Sequence, residues 1–147
     1  MRSRAATWVN LIFASIIVIG VFLQAYFIAS YTMGAGKGAL DAHGFLGGLV
    51  IHGSELIVFL SSLVAFWGLW RWVAVNFGLF VVGTVQIFVL PPDDERGEPW
   101  IHGLHGLLAI VVLVYAAHIA HRDMRWLGIG GRRMTEPMAA PPPTEPV

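Results

Sequence analysis

Four long apolar runs, separated by short polar or turn-forming segments, organise the chain. The first, Trp8 to Tyr31, follows the basic stretch Met1-Arg2-Ser3-Arg4. It exceeds the about 7–15 residues of a signal peptide's apolar region and runs into Tyr31-Thr32-Met33 instead of a small-residue cleavage site, so it reads as a retained span. Gly34-Ala35-Gly36-Lys37-Gly38 predicts a turn or short loop. The second run extends from about Asp41 to Trp67 and the third from about Trp70 to Leu90, with only Gly68-Leu69 and the Arg71 region between them, which predicts a tight hairpin. Pro91 to Pro99 is acidic and proline-bounded, and it ends the third helix because proline cannot continue the hydrogen-bond ladder. The fourth run covers about Trp100 to His121, and residues 128–147, rich in Gly, Pro, Met and Arg, read as a disordered tail. Runs of about 20 residues match the roughly 30 Å of a bilayer's hydrocarbon. The expected fold is therefore an all-α integral membrane four-helix bundle in up-down-up-down order, with the membrane domain over residues 1–127.

Composition agrees with the pattern. Of 147 residues, 56% are hydrophobic and 12% charged, and the mean hydropathy is +0.71, outside the range of soluble domains. The absence of cysteine excludes disulfides, thiolate metal sites, c-type haem attachment and iron–sulfur clusters. The net charge is zero and the basic residues are scattered at span ends, so no nucleic-acid partner is expected. With the N-terminus inside, Arg2, Arg4, Arg71, Arg122, Arg125, Arg132 and Arg133 fall on the cytoplasmic side and only Lys37 and Arg96 outside. Trp8, Trp67, Trp70, Trp72, Trp100 and Trp126 lie near span ends, where indole rings anchor at the headgroup level. Both termini are thus expected in the cytoplasm and the chain in the inner (plasma) membrane of a bacterium.

His43-Gly44-Phe45-Leu46-Gly47 resembles His102-Gly103-Leu104-His105-Gly106, 59 positions later, so a duplicated helix pair is one reading and chance the other.

Ionisable side chains within spans are costly, about 2.5–3.5 kcal/mol for a charge at the helix centre, which marks them as functional candidates. All six histidines fall in the second and fourth runs: His43 and His52 in one, His102, His105, His118 and His121 in the other, with Glu55 beside His52. At about 1.5 Å per residue, His43, His102 and His105 share one level near the outer side, and His52 lies about 13.5 Å deeper. At about 100° per residue His43 and His52 point to opposite sides of their helix. A metal-centred site near the outer side is expected, His43 opposing His105 or His102, with Gly44, Gly47, Gly48, Gly103 and Gly106 letting a flat macrocycle approach the backbone. A Gly44/Gly48 pair also serves close helix packing. His52 with Glu55 is read as packing glue, a proton relay or a propionate contact. His52 with His118 is a second, weaker metal-ligand pair, and His121 is an interfacial residue near a helix C-terminus.

A four-span module with one histidine early in the second span and another early in the fourth resembles one half of haem A synthase and, more loosely, bis-histidine b-type membrane cytochromes. The matching residues are His43 and His105, 62 positions apart, and the likeness spans Trp8 to His121. It implies haem b between spans two and four, for electron transfer or haem handling. Only one half is present and Asp41 is the sole nearby carboxylate, so oxidation of a haem methyl group does not carry over. The chain also resembles small uncharacterised four-span bacterial membrane proteins.

Two further readings stay open beside haem binding. One is a metal-ion or proton transporter using His52, Glu55 and His105; the other is a cofactor-free accessory or assembly subunit of a respiratory complex. The expected partners are the lipid bilayer and a respiratory-chain or other membrane protein, with homodimerisation open.

Overall fold

A computed structural model describes residues 3–89 and 99–130, with the backbone alone at positions 99, 101 and 102. The elements are α1 (Arg4–Ser30) closed by a π-helical turn (Tyr31–Ala35), α2 (Lys37–Phe45), a π-helical segment (Leu46–Ile51), α3 (His52–Ala65), α4 (Trp70–Phe88) and α5 (Pro99–Leu127). Among the described residues there is no strand, and four helical stretches are long and apolar enough to cross a membrane: Arg4–Ala35, Lys37–Ala65, Trp70–Phe88 and Gly103–Leu127.

The boundaries differ from the expected ones for local reasons. α1 starts earlier because the Ser3 hydroxyl caps it, accepting from the Ala6 backbone N–H at 3.2 Å. The glycine-rich loop shrinks to a corner: Gly34 (φ 97°) and Gly36 (φ 81°) adopt left-handed backbone, and Lys37 already begins α2. The hairpin between the second and third spans forms as predicted, over Phe66–Gly68 with Gly68 at φ 80°. α5 continues to Leu127, well past His121. The acidic Pro91–Glu98 stretch and the tail from residue 131 lie outside the described residues.

α1 packs against α3 and α5, and α4 packs against the same two helices. The second and fourth helical stretches therefore face each other diagonally across the bundle, the arrangement in which histidines of both can converge. Small residues at the centre allow the approach: Ala14, Ala65 and Ala116 are fully buried, and a side chain at Gly20 would overlap Ile51. The burial pattern is inverted relative to a water-soluble bundle. Ile19, Phe22, Leu49, Val64, Ile110 and Val114 stand exposed, while Asn10, Glu55, Asn76, Arg122 and Asp123 are buried. A helix surface of that kind is compatible with contact to lipid.

Candidate functional site

The structure brings His43 and His105 together. Their ring centroids are 6.4 Å apart and the ring planes meet at 45°. Each histidine lies six residues into its helix, about 9 Å from the helix start, so the two meet at one level.

Each is tied to a glutamine on the preceding span. The Nδ1–H of His43 donates to the Gln24 backbone carbonyl at 3.2 Å, and the Gln24 amide donates to the His43 carbonyl at 2.9 Å. The Gln86 amide lies 3.3 Å from the His105 carbonyl and 3.5 Å from His105 Nε2. Both glutamines precede their histidine by 19 positions. The two halves are thus related by 62 positions (105 minus 43), not the 59 of the pentapeptide match, because the 62 offset superposes Gln24 on Gln86 as well as His43 on His105. Trp8 and Trp70, Gly44 and Gly106, and Leu46 and Leu108 fall on the same offset.

The fit to haem can be tested on this geometry. Two imidazoles bound end-on to one iron by bonds of about 2 Å have ring centres roughly 6 Å apart. The observed 6.4 Å matches. The carbonyl of Gln24 can only accept, so Nδ1 of His43 carries the proton and Nε2 presents the lone pair, the usual arrangement of an oriented ligand imidazole. On the other side, iron at Nε2 of His105 would replace the 3.5 Å amide contact and leave the Gln86-to-carbonyl bond in place. Around the pair, Gly44, Gly48, Gly103 and Gly106 have no atom within 4 Å of where a Cβ would stand, so the backbone there borders open space. Gly47 does not: the Gln24 amide fills its notch. The π-helical segment Leu46–Ile51 begins three residues after His43, an irregularity often found at functional sites.

The other candidates go elsewhere. The side chain of His102 lies outside the described residues. His52 turns to the third span, stacked on Phe80 (5.1 Å, 14°) and edge-on to Phe88 (5.8 Å), consistent with its azimuth opposite His43. Its Nδ1 is 2.9 Å from Glu55 Oε2. His118 is exposed on α5, beside Tyr115 and Val114 in a groove of about 460 Å³, and is not a partner of His52. His121 is exposed toward the end of α5. Among the described residues no group of three or more His, Asp or Glu converges on a single point.

One cluster was not anticipated from the sequence. Arg122, assigned above to a cytoplasmic segment, is 3% exposed inside the bundle. Its Nε donates to Asp123 Oδ1 at 2.8 Å, and its Nη2 reaches Asn10 Oδ1 at 3.2 Å and Asn76 Oδ1 at 3.5 Å. The guanidinium lies over Phe66 (4.3 Å) and the half-buried Trp72 (5.2 Å). Asn10 also donates to the Val58 carbonyl at 2.6 Å and to Ser61 Oγ at 2.9 Å. All four spans are joined at this one point. The signal available in sequence was Asn10 and Asn76, each isolated in an apolar run, as single polar residues in need of an interior partner.

Comparison with protein-family models, with curated proteins and with solved structures gives no match.

Proposed function

We propose that this chain is a four-span protein of the bacterial inner membrane, both termini cytoplasmic, that holds haem b between His43 and His105 for electron transfer or haem handling. The single observation that carries the reading is the 6.4 Å approach of two imidazoles from diagonally opposed spans. The lipid bilayer is its immediate partner, and the exposed aliphatic surface is the face it presents to it. With Arg122 withdrawn into the bundle, the basic residues still divide six to two in favour of the terminal side, which keeps the orientation.

Bound there, a bis-imidazole haem supplies a one-electron couple. The residues of the chain do the rest. His43 and His105 would hold the iron, the Gln24 carbonyl would fix the rotation of the His43 ring, the Gln24 and Gln86 amides would brace the two histidine backbones, and the glycines on the helix faces would leave room for a flat ring system. The test is the haem content of protein purified after haem supplementation. About one haem per chain with the native sequence, and none in His43→Ala or His105→Ala variants that remain folded, supports the reading; equal content in all three removes it.

A further inference from the structure

The His52–Glu55 pair has no part in the histidine centre, and its setting calls for one. Glu55 is 1% exposed, and while its Oε2 meets His52 Nδ1 at 2.9 Å, its Oε1 has no hydrogen-bond partner among the described residues. The carboxyl group rests on the backbone of Gly83 in α4, where any side chain would overlap it. A carboxylate with one hydrogen bond is costly in a hydrocarbon core, so burial there favours the pair with a proton, as imidazolium with carboxylate or as imidazole with carboxylic acid, over the pair without one.

Its position relative to the histidine centre follows from α4. Gly83 precedes Gln86 by three residues, about 4.5 Å along the helix axis, whereas Asn76 of the buried arginine cluster lies seven residues the other way, about 10 Å. On α4 the pair therefore stands about one turn from Gln86, while along its own span His52 and Glu55 follow His43 by 9 and 12 residues, about 13.5 and 18 Å. Among the described residues no other ionisable group stands between the pair and the histidine centre. On α1 the titratable residues are Arg4 and Tyr26, near its two ends; α4 has only Arg71, at its start; α5 carries His102 and His105 toward its start, and Tyr115, His118, His121, the Arg122–Asp123 pair and Arg125 toward its end.

We propose that His52 and Glu55 form a proton-accepting site coupled to the histidine centre, taking up one proton when that centre is reduced and releasing it on oxidation. This rests on the haem reading. One electron, from a quinol-class carrier in the membrane or dithionite in vitro, converts ferric to ferrous iron, and one proton drawn from water adds to the carboxylate or the imidazole. No other bond forms or breaks. The coupling is electrostatic: a charge added to a weakly screened interior acts on an ionisable pair about 13.5–18 Å further along the span of His43.

The experiment is a redox titration of the full-length haem-loaded protein at a series of pH values, for the native chain and Glu55→Gln. The native midpoint potential falls with pH by up to about 59 mV per unit, the one-electron equivalent of a tenfold change in proton activity. In Glu55→Gln the dependence flattens while the Soret band stays unchanged. A pH-independent native midpoint, or a slope that survives in Glu55→Gln, overturns the coupling. Should the variant fail to fold, the native chain decides by labelling with dicyclohexylcarbodiimide, which adds to protonated carboxyl groups in apolar surroundings. The adduct, located by mass spectrometry, forms at Glu55 faster in the reduced than in the oxidised protein; equal rates overturn the coupling. A preparation with no Soret band at all after haem supplementation is a different result, since it removes the haem reading itself.

Discussion

His43 of the second span and His105 of the fourth stand 6.4 Å apart across the bundle, each held by a glutamine 19 positions before it. The relationship is that of two like half-sites. Each helix pair contributes one imidazole and one backing amide.

The backing amides are the first test. Loss of an outer-shell hydrogen bond to a ligating histidine lowers metal affinity by about 10–100-fold. The Gln24 and Gln86 amides hold the backbone carbonyls of the histidines, and Gln24→Ala keeps the carbonyl that orients the His43 ring, so Gln24→Ala and Gln86→Ala are each expected to weaken haem affinity by less than that order, with Gln24→Ala also opening a void at Gly47. Haem titration followed by absorbance measures both. Unchanged affinity in the two variants would show that the amides serve packing alone.

The glycines divide into two kinds with opposite expected behaviour. A methyl group at Gly83 meets the Glu55 carboxyl and one at Gly78 meets the Tyr115 hydroxyl, so Gly83→Ala and Gly78→Ala should each lose about 1–3 kcal/mol by overpacking. Gly44→Ala and Gly106→Ala meet nothing and should melt like the native chain in detergent, yet take up less haem because the added methyl enters the open face. Thermal melting beside haem content separates the two effects.

At the other end, Arg122→Ala removes the common partner of Asp123, Asn10 and Asn76. Breaking a buried pair from one side costs about 3–5 kcal/mol, since the remaining charge stays buried. The melting temperature should fall steeply. The double variant Arg122→Met with Asp123→Ala should recover part of the loss, because no lone charge is then left inside.

The lack of cysteine makes orientation directly measurable. A single cysteine at Lys37 should react with a membrane-impermeant maleimide added to intact cells, and one at Arg71 only after the cells are opened. The reverse labelling would invert the topology.

How much of this was legible in the sequence depends on the interaction involved. Apolar run length marked four helices long enough to cross a membrane, and the confinement of histidine to the second and fourth marked the two whose facing would bring histidines together. The depth rule put His43 level with His105, since rise per residue is nearly constant. What one chain reading could not supply was direction across the bundle. Arg122 follows His121 at the edge of an apolar run and counts as a loop cation until Asn10, Asn76 and Phe66, from three other spans, are seen around it. Gln24 and Gln86 were visible as polar residues in apolar runs, but their link to His43 and His105 depends on which faces of neighbouring helices meet. The pentapeptide match drew the repeat to 59 positions because it scored glycine-rich letters, whereas the pairing of side chains selects 62.

The most direct measurement is the reduced-minus-oxidised difference spectrum of the purified full-length protein after haem supplementation. A dithionite-dependent Soret shift with sharp bands of a six-coordinate bis-imidazole haem, lost in both His43→Ala and His105→Ala, is the predicted result. A flat difference spectrum from folded, haem-supplied protein, or a native-like spectrum in either histidine variant, would contradict the assignment of the site.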